Sequence, residues 1–182
     1  RGILISSGRI EYDGEISETI SKYIEIGSEK SLISKVFNFS NNKIRLNKIE
    51  ISKDKIISGE GFGFDFYLEK QDGLYYDFGL TFLLTDEFGN LVFAGSSYKS
   101  DITLNITKGN LKLHCQIPKE LMNEGYYSIS RLLFVKDRGT VLLDVKDCFS
   151  FRIHPKVREI GWMGEKEQGI IDPKLEWEFE VT

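Results

Sequence analysis

Phe62-Gly63-Phe64-Asp65-Phe66-Tyr67-Leu68-Glu69 places an apolar residue at every second position, with small, polar or amphipathic residues between. Successive side chains of a β-strand point to opposite faces, so this alternation predicts a strand with one face buried among phenylalanines and the other facing water. Working outward, Phe78, Leu80, Phe82 and Leu84 repeat the pattern. Asp86-Glu87-Phe88-Gly89-Asn90 reads as a turn whose glycine can supply positive φ, and Leu91-Val92-Phe93-Ala94 resumes as an antiparallel partner. Upstream, Ile44, Leu46, Ile49 and Ile51 change parity near Asn47-Lys48, which predicts a slip or bulge there. Further strands are expected over 102–106, 110–117, 126–135, 141–145 and 148–153, and a helical turn at Pro118-Lys119-Glu120-Leu121-Met122. About eight or nine short strands joined by Gly, Asp and Asn turns specify a mainly β chain folded as an antiparallel β-sandwich.

The composition suits one globular domain with a short extension. The 182 residues are 41% hydrophobic and 29% charged, an ordinary folded mixture. The net charge is -4 and the lysines and arginines are scattered, which argues against nucleic acid as a partner. No apolar run approaches the roughly 18 to 20 residues needed to span a bilayer as a helix. Cys115 continues the alternation Leu111, Leu113, Cys115, Ile117 and reads as a small buried residue, with both cysteines expected reduced in a cytoplasmic protein. Two histidines, His114 and His154, without C-x-x-C or H-x-x-x-H spacing, give no zinc pattern, so no metal site is expected.

Apparent catalytic motifs fail on their own chemistry. Gly59-Glu60-Gly61-Phe62-Gly63 and Asp77-Phe78-Gly79 suggest a kinase phosphate loop and magnesium ligand, but they are far too close together, and the catalytic-loop and lysine elements are missing between them. There is no G-x-x-x-x-G-K-S/T to hold phosphates and no G-x-S-x-G nucleophile turn. Carboxylates such as Asp144 and Asp147 fall on expected turns, where solvation is their role. No catalytic residue is assigned, and a non-enzymatic binding function is expected.

Before the sandwich, Gly8-Arg9-Ile10-Glu11-Tyr12-Asp13-Gly14 and then Ile16, Ile20, Tyr23 and Ile24 read as a glycine-linked hairpin and one amphipathic helix, a piece too small for a core of its own. Residues 27–42 are rich in Ser, Lys, Asn and Glu and read as a linker. The hairpin and helix resemble the C-terminal tail of an ABC-transporter ATPase. The organisation expected is therefore 1–26 as an ATPase tail, 27–42 as linker and 43–182 as the β-sandwich.

The order of further motifs resembles the C-terminal carbohydrate-binding domain of the Wzt family, the ATPase subunits of O-antigen polysaccharide ABC exporters. Asp77-Phe78-Gly79-Leu80 and Asp86-Glu87-Phe88-Gly89-Asn90-Leu91-Val92-Phe93 are similar to the family's F-G-I/L strand and D-x-x-G-x-x-V/I-F hairpin. Ile117-Pro118 with Leu121 and Gly125-Tyr126-Tyr127 resemble its I-P-x-x-x-L-x-x-G-x-Y element, and Phe149-Ser150-Phe151-Arg152-Ile153 followed by 169–177 resembles a closing strand that ends at a Trp. The resemblance implies an immunoglobulin-like sandwich, a homodimer that exchanges its last strand, and recognition of the modified non-reducing end of an O-polysaccharide, coupling chain completion to export. It also implies contact with the transporter's membrane subunit through the full-length protein, and a cytoplasmic position at the inner membrane. No cofactor is expected in this segment; ATP and magnesium would belong to an ATPase domain. The alternative is a structural or regulatory dimerisation module that binds protein.

A glycan-binding surface needs donors, acceptors and an aromatic platform on one exposed face. Strand parity turns Asp65, Tyr67, Asp77 and Thr81 away from the phenylalanine core. On the 126–135 strand Tyr127, Ile129, Leu133 and Val135 take the core parity and Tyr126, Ser128 and Ser130 the outer one. Arg131 then falls on the core parity, as a strand slip or as an arginine at a pocket mouth. These eight polar residues are the candidate carbohydrate site. Leu175, Trp177, Phe179 and Val181 alternate strictly and, with Ile170 and Ile171, are the candidate dimer interface, Trp177 as anchor.

Overall fold

The computed structural model describes residues 1–6, 8–27, 34–101, 104–156, 169–171, 173 and 177. At the N-terminus β1 (Gly2–Ser6) and β2 (Arg9–Gly14) form an antiparallel hairpin that leads into α1 (Ile16–Gly27). This unit buries little apolar surface: Leu4 is covered, but Ile3, Ile5, Ile10, Ile16 and Tyr23 are exposed.

The remaining strands form two stacked sheets. One runs β3-β4-β6-β9, from β3 (Ser34–Ser40), β4 (Ile44–Ile51), β6 (Phe62–Lys70) and β9 (Gly109–Ile117). The other runs β5-β11-β10-β7-β8, from β5 (Ile56–Ile57), β7 (Phe78–Asp86), β8 (Leu91–Ser96), β10 (Gly125–Lys136) and β11 (Thr140–His154). All pairs are antiparallel except the two-residue pairing of β5 with β11. The result is an antiparallel β-sandwich.

The alternation on β6 and β7 does what the sequence predicts. Phe62, Phe64, Phe66 and Leu68 on one sheet and Phe78, Leu80, Phe82 and Leu84 on the other are all buried. Phe64 sits at the centre, its ring 5.5 Å from Phe62, 5.8 Å from Phe82 and 5.4 Å from Phe151, in edge-on contacts that place positive ring edges against negative ring faces. The parity change in β4 is a register shift between Leu46 and Lys48 that keeps Ile44, Leu46, Ile49 and Ile51 inside.

Five expectations are corrected. On β10 the pairing shifts between Ile129 and Arg131 against both neighbours, so Ser130 is an inserted residue. Beyond it Leu132 and Phe134 are the core residues, whereas Leu133 and Val135 are only half-buried and Arg131 is exposed. One extra residue flips every later side chain, which resolves Arg131 as the slip. The strands expected at 141–145 and 148–153 are one, β11, because Asp147 takes positive φ (48°) and absorbs the same irregularity without ending the strand. Residues 34–40, read as linker, form β3 paired with β4, so the sandwich begins before residue 43. Pro118–Met122 is a turn with Glu120 at φ 56°, not a helical turn. Of the strand expected at 102–106, Leu104 makes a bridge to Phe78, and residues 102 and 103 lie outside the described residues.

Close packing between β7 and β8 depends on Gly95, where a Cβ would stand 2.3 Å from the Phe82 ring. Gly95→Ala is expected to lower stability by about 1–3 kcal/mol through overpacking, read as a shift of the urea midpoint at constant slope.

Candidate functional site

The eight candidate residues do not converge. Asp65 and Tyr67 lie on the outer face of the four-stranded sheet. Thr81, Tyr126, Ser128, Ser130 and Arg131 belong to strands of the five-stranded sheet on the opposite side of the core. Asp77 immediately precedes β7, at the end of that strand opposite Asp86.

On the four-stranded sheet, register aligns Glu50, Asp65 and His114 in one row and Lys48, Tyr67 and Lys112 in the next. Asp65 is almost covered, held by Lys112 Nζ at 3.0 Å and His114 Nδ1 at 2.7 Å. Burial pushes its carboxyl up, but these two partners outweigh burial and hold it below the usual carboxylate value. The Tyr67 hydroxyl donates to Glu50 Oε2 at 3.0 Å, and the ammonium groups of Lys48 and Lys112 each lie 5.4 Å from its ring centre. Asp65 and Tyr67 thus serve a network internal to the sheet.

The outer face of the five-stranded sheet is similarly cross-linked. Thr81 and Ser96 hydroxyls meet at 2.9 Å, as do those of Ser128 and Ser150, and Ser130 donates to the Leu83 carbonyl at 3.3 Å. Arg131 makes a two-pronged pair with Asp144, 3.0 and 2.8 Å, which lowers the Asp144 carboxyl from its ordinary value.

Tyr126 is different, because it lines a cleft of about 430 Å³ at one end of the sandwich, within the size range of small-ligand sites. Three segments build it. The β7–β8 turn contributes Asp86, Glu87, Phe88 and Asn90; the entry to β10 contributes Glu124, Gly125, Tyr126 and Tyr127; Gly169 and Ile170 close it. The turn is fixed by the Asp86 carboxylate, which accepts from the backbone N–H of Phe88 (2.9 Å) and Asn90 (2.7 Å) and from Asn90 Nδ2 (2.9 Å), with Gly89 at φ 82°. This holds the Phe88 ring out, 61% exposed. On the other side the Tyr126 ring carries the Arg152 guanidinium 4.9 Å from its centre.

The Tyr127 hydroxyl anchors the floor, 2.9 Å from the Asn123 carbonyl and 3.1 Å from that of Ile170. Asn123 Nδ2 donates to the Gly169 carbonyl at 3.0 Å, and Met122 bridges Ile171. Burial, then the negative charges of Glu87, Asp86 and Glu124, raise the Tyr127 hydroxyl above its ordinary pKa. Ile170, read from sequence as a dimer contact, is thus half-buried against its own chain; Ile171 and Trp177 are exposed, and Leu175 and Phe179 lie outside the described residues. Asp86–Asn90 was legible only as a turn, and nothing in the sequence set Gly169-Ile170 beside it.

Among the described residues no cluster of three or more His, Cys, Asp and Glu is arranged to hold a metal ion, and no helix is long and apolar enough to cross a membrane.

No protein-family model and no curated protein matches the sequence. Among solved structures, the crystal structure of the C-terminal domain of wzt is similar over 78% of this chain and 87% of that one, with TM-score 0.60 and 13% identity. A β-glucuronidase of glycoside hydrolase family 2 aligns over 60% of this chain and 11% of its own, with TM-score 0.37 and 11% identity. The Pseudomonas fluorescens alkylpurine DNA glycosylase AlkC, bound to DNA containing an abasic-site analogue, aligns over 63% and 31%, with TM-score 0.41 and 11% identity. The last two scores are too low to bear on this chain. The first shows that the sandwich has a Wzt C-terminal-domain-like fold.

Proposed function

We propose that this chain recognises a glycan as the non-catalytic domain of a polysaccharide-export ATPase of the Wzt kind, with the end cleft as its binding site. The observation that carries the reading is the cleft itself. The exposed Phe88 ring and the half-buried Tyr126 ring stand beside the Asn90 amide and the Glu87 and Glu124 carboxylates, on a sandwich whose fold matches the C-terminal domain of wzt. A sugar offers an apolar ring face for stacking and hydroxyls that donate to carboxylates and amides, and this lining supplies both partners.

In this reading the bound group is the finished end of an O-polysaccharide, and occupancy tells the exporter that the chain is complete. The hairpin and helix β1-β2-α1 would then belong to the end of the ATPase domain, a reading supported by its exposed Ile3, Ile5, Ile10 and Ile16, which a larger domain would cover. ATP and magnesium would bind to that domain, and the whole would work as a homodimer on the cytoplasmic side of the membrane beside its membrane subunit.

Calorimetric titration with the O-polysaccharide of the source strain tests the proposal. Tyr126→Ala and Phe88→Ala should each weaken binding about tenfold with an unchanged melting temperature, as expected for loss of a stacking face. Asp77→Ala, at the other end of β7, should leave affinity unchanged. Absence of binding by the wild-type chain, together with capture of a protein partner by the same domain, would favour the structural or regulatory module instead.

A further inference from the structure

At the end of the sandwich opposite the cleft, the loop between β6 and β7 holds two apolar side chains out in water. Leu74 is 61% and Tyr75 71% exposed. The backbone beneath them is tied down: the fully buried Lys70 ammonium binds the Leu74 carbonyl and pairs with Asp72 at 2.6 Å, Asp72 Oδ1 accepts from the Leu74 N–H at 3.2 Å, and Gly73 turns the chain at φ 71°. On the far side the Tyr76 hydroxyl donates to Asp72 Oδ2 at 2.5 Å. An ion pair that costs desolvation is thus kept inside the fold to set the backbone of an apolar tip.

The neighbouring turns put cations around that tip. The Gln71 N–H donates to the Lys43 carbonyl at 2.7 Å, Lys108 follows the Thr107 carbonyl that meets the Lys70 ammonium at 3.0 Å, and the Lys136 ammonium lies 4.7 Å from the Tyr76 ring centre. The Asp137 N–H donates to the Asp77 carbonyl at 2.9 Å, which brings the β10–β11 turn alongside. Among the described residues of these turns, Lys43, Lys108, Lys136 and Arg138 stand against Asp77 and Asp137, a basic end on a chain whose net charge is -4. Lys136 takes up Asp137 at 3.6 Å and the Arg138 guanidinium lies 5.0 Å from the Tyr98 ring centre, so Lys43 and Lys108, both exposed, are the outward cations of the rim. Asp137 at φ 49° and Arg138 at φ 57° are two left-handed non-glycine residues in a row, so a cation is kept where glycine would relax the turn.

We infer that this end is a membrane-docking surface whose partner is the anionic headgroup layer of a bilayer. Leu74 and Tyr75 enter the headgroup boundary, where an amphipathic ring is favoured, while the ammonium groups behind them meet lipid phosphates. A projecting apolar pair ringed by charge suits a soft, charged surface, whereas an acidic protein would have to supply a matching pocket. A tip fixed before contact loses little freedom on docking. Docking by this end points the cleft away from the lipid.

Co-sedimentation of the intact chain with vesicles of equal parts phosphatidylglycerol and phosphatidylcholine tests this. The expected result is binding that weakens as salt rises and is absent with phosphatidylcholine alone. The Lys43→Glu/Lys108→Glu variant should bind about tenfold more weakly or worse, and Leu74→Ser/Tyr75→Ser about tenfold more weakly. All four side chains are exposed, so both variants should keep the wild-type urea midpoint. Wild-type chain left in the supernatant by anionic vesicles would overturn the inference, even if an acidic protein were found to bind the tip. Unchanged binding by either double variant would overturn it as well, by placing the contact elsewhere. Glycan titration reads the opposite end of the sandwich, so neither result decides the other.

Discussion

Phe64→Ala is expected to destabilise the sandwich by about 3–5 kcal/mol, a large share of the roughly 5–15 kcal/mol that holds a domain of this size folded. Phe64 is fully buried and its ring touches those of Phe62, Phe66, Phe82 and Phe151, so truncation leaves a void bordered by both sheets. Rigid phenyl neighbours on every side cannot all move in to fill it. Urea denaturation followed by tryptophan-independent far-ultraviolet dichroism should show the midpoint falling steeply, while Phe64→Leu, which keeps most of the volume, should lose much less. A midpoint for Phe64→Ala equal to that of the wild type would mean that the two sheets do not meet at this residue.

Asp72→Ala is expected to cost a comparable amount, about 3–5 kcal/mol, because it strands a buried charge. Lys70 is fully buried at the end of β6, with its ammonium 2.6 Å from Asp72 Oδ1, 3.0 Å from the Thr107 carbonyl and bonded also to the Leu74 carbonyl, above the Tyr76 ring. The second Asp72 oxygen accepts from the Tyr76 hydroxyl at 2.5 Å. Without the carboxylate the ammonium keeps, among the described residues, the Leu74 and Thr107 carbonyls and the Tyr76 ring, and loses its ion-pair partner. Lys70→Met combined with Asp72→Asn removes both charges and should recover a large part of the loss.

The same pair shapes the acid limb of stability. Burial pushes the Asp72 carboxyl up, but hydrogen bonds from Lys70, Tyr76 and the Leu74 N–H together outweigh it, so its folded pKa lies below the ordinary 3.8. A carboxyl depressed on folding contributes stability that is fully present above its unfolded pKa and disappears as pH falls through the folded value. Wild-type and Asp72→Ala stabilities should therefore draw together as the solution is taken below about pH 4, and stay furthest apart near neutrality. A gap independent of pH would show that the carboxylate's charge has no part in it.

Periodicity made the centre of the fold legible, since β6 and β7 alternate without a break and the turn after β7 carries its own glycine and aspartate. It failed where a single residue changes the count. Ser130 looks like any outward serine, and only its pairing against two neighbours reveals that it is inserted and that Leu132 and Phe134, not Leu133 and Val135, face inward. The polar stretch containing Ser34–Ser40 hid an edge strand, because one face of an edge strand needs few apolar residues when the next strand supplies the core. For the site, parity could say that Asp65 and Thr81 face outward but not that they do so on opposite sides of the molecule. The cleft draws on three segments widely separated in sequence, so its composition could be read only once Gly169-Ile170 had been seen to dock beside Tyr127.

Glycan recognition at the end cleft is tested most directly by a nuclear magnetic resonance titration of the isotopically labelled chain with the O-polysaccharide, mapping which backbone amides shift. Glycan binding at the cleft should perturb amides clustered at Asp86–Asn90, Glu124–Tyr127 and Gly169–Ile170. Perturbations centred on Lys48, Tyr67 and His114 across the other sheet, or none at saturating glycan, would contradict it.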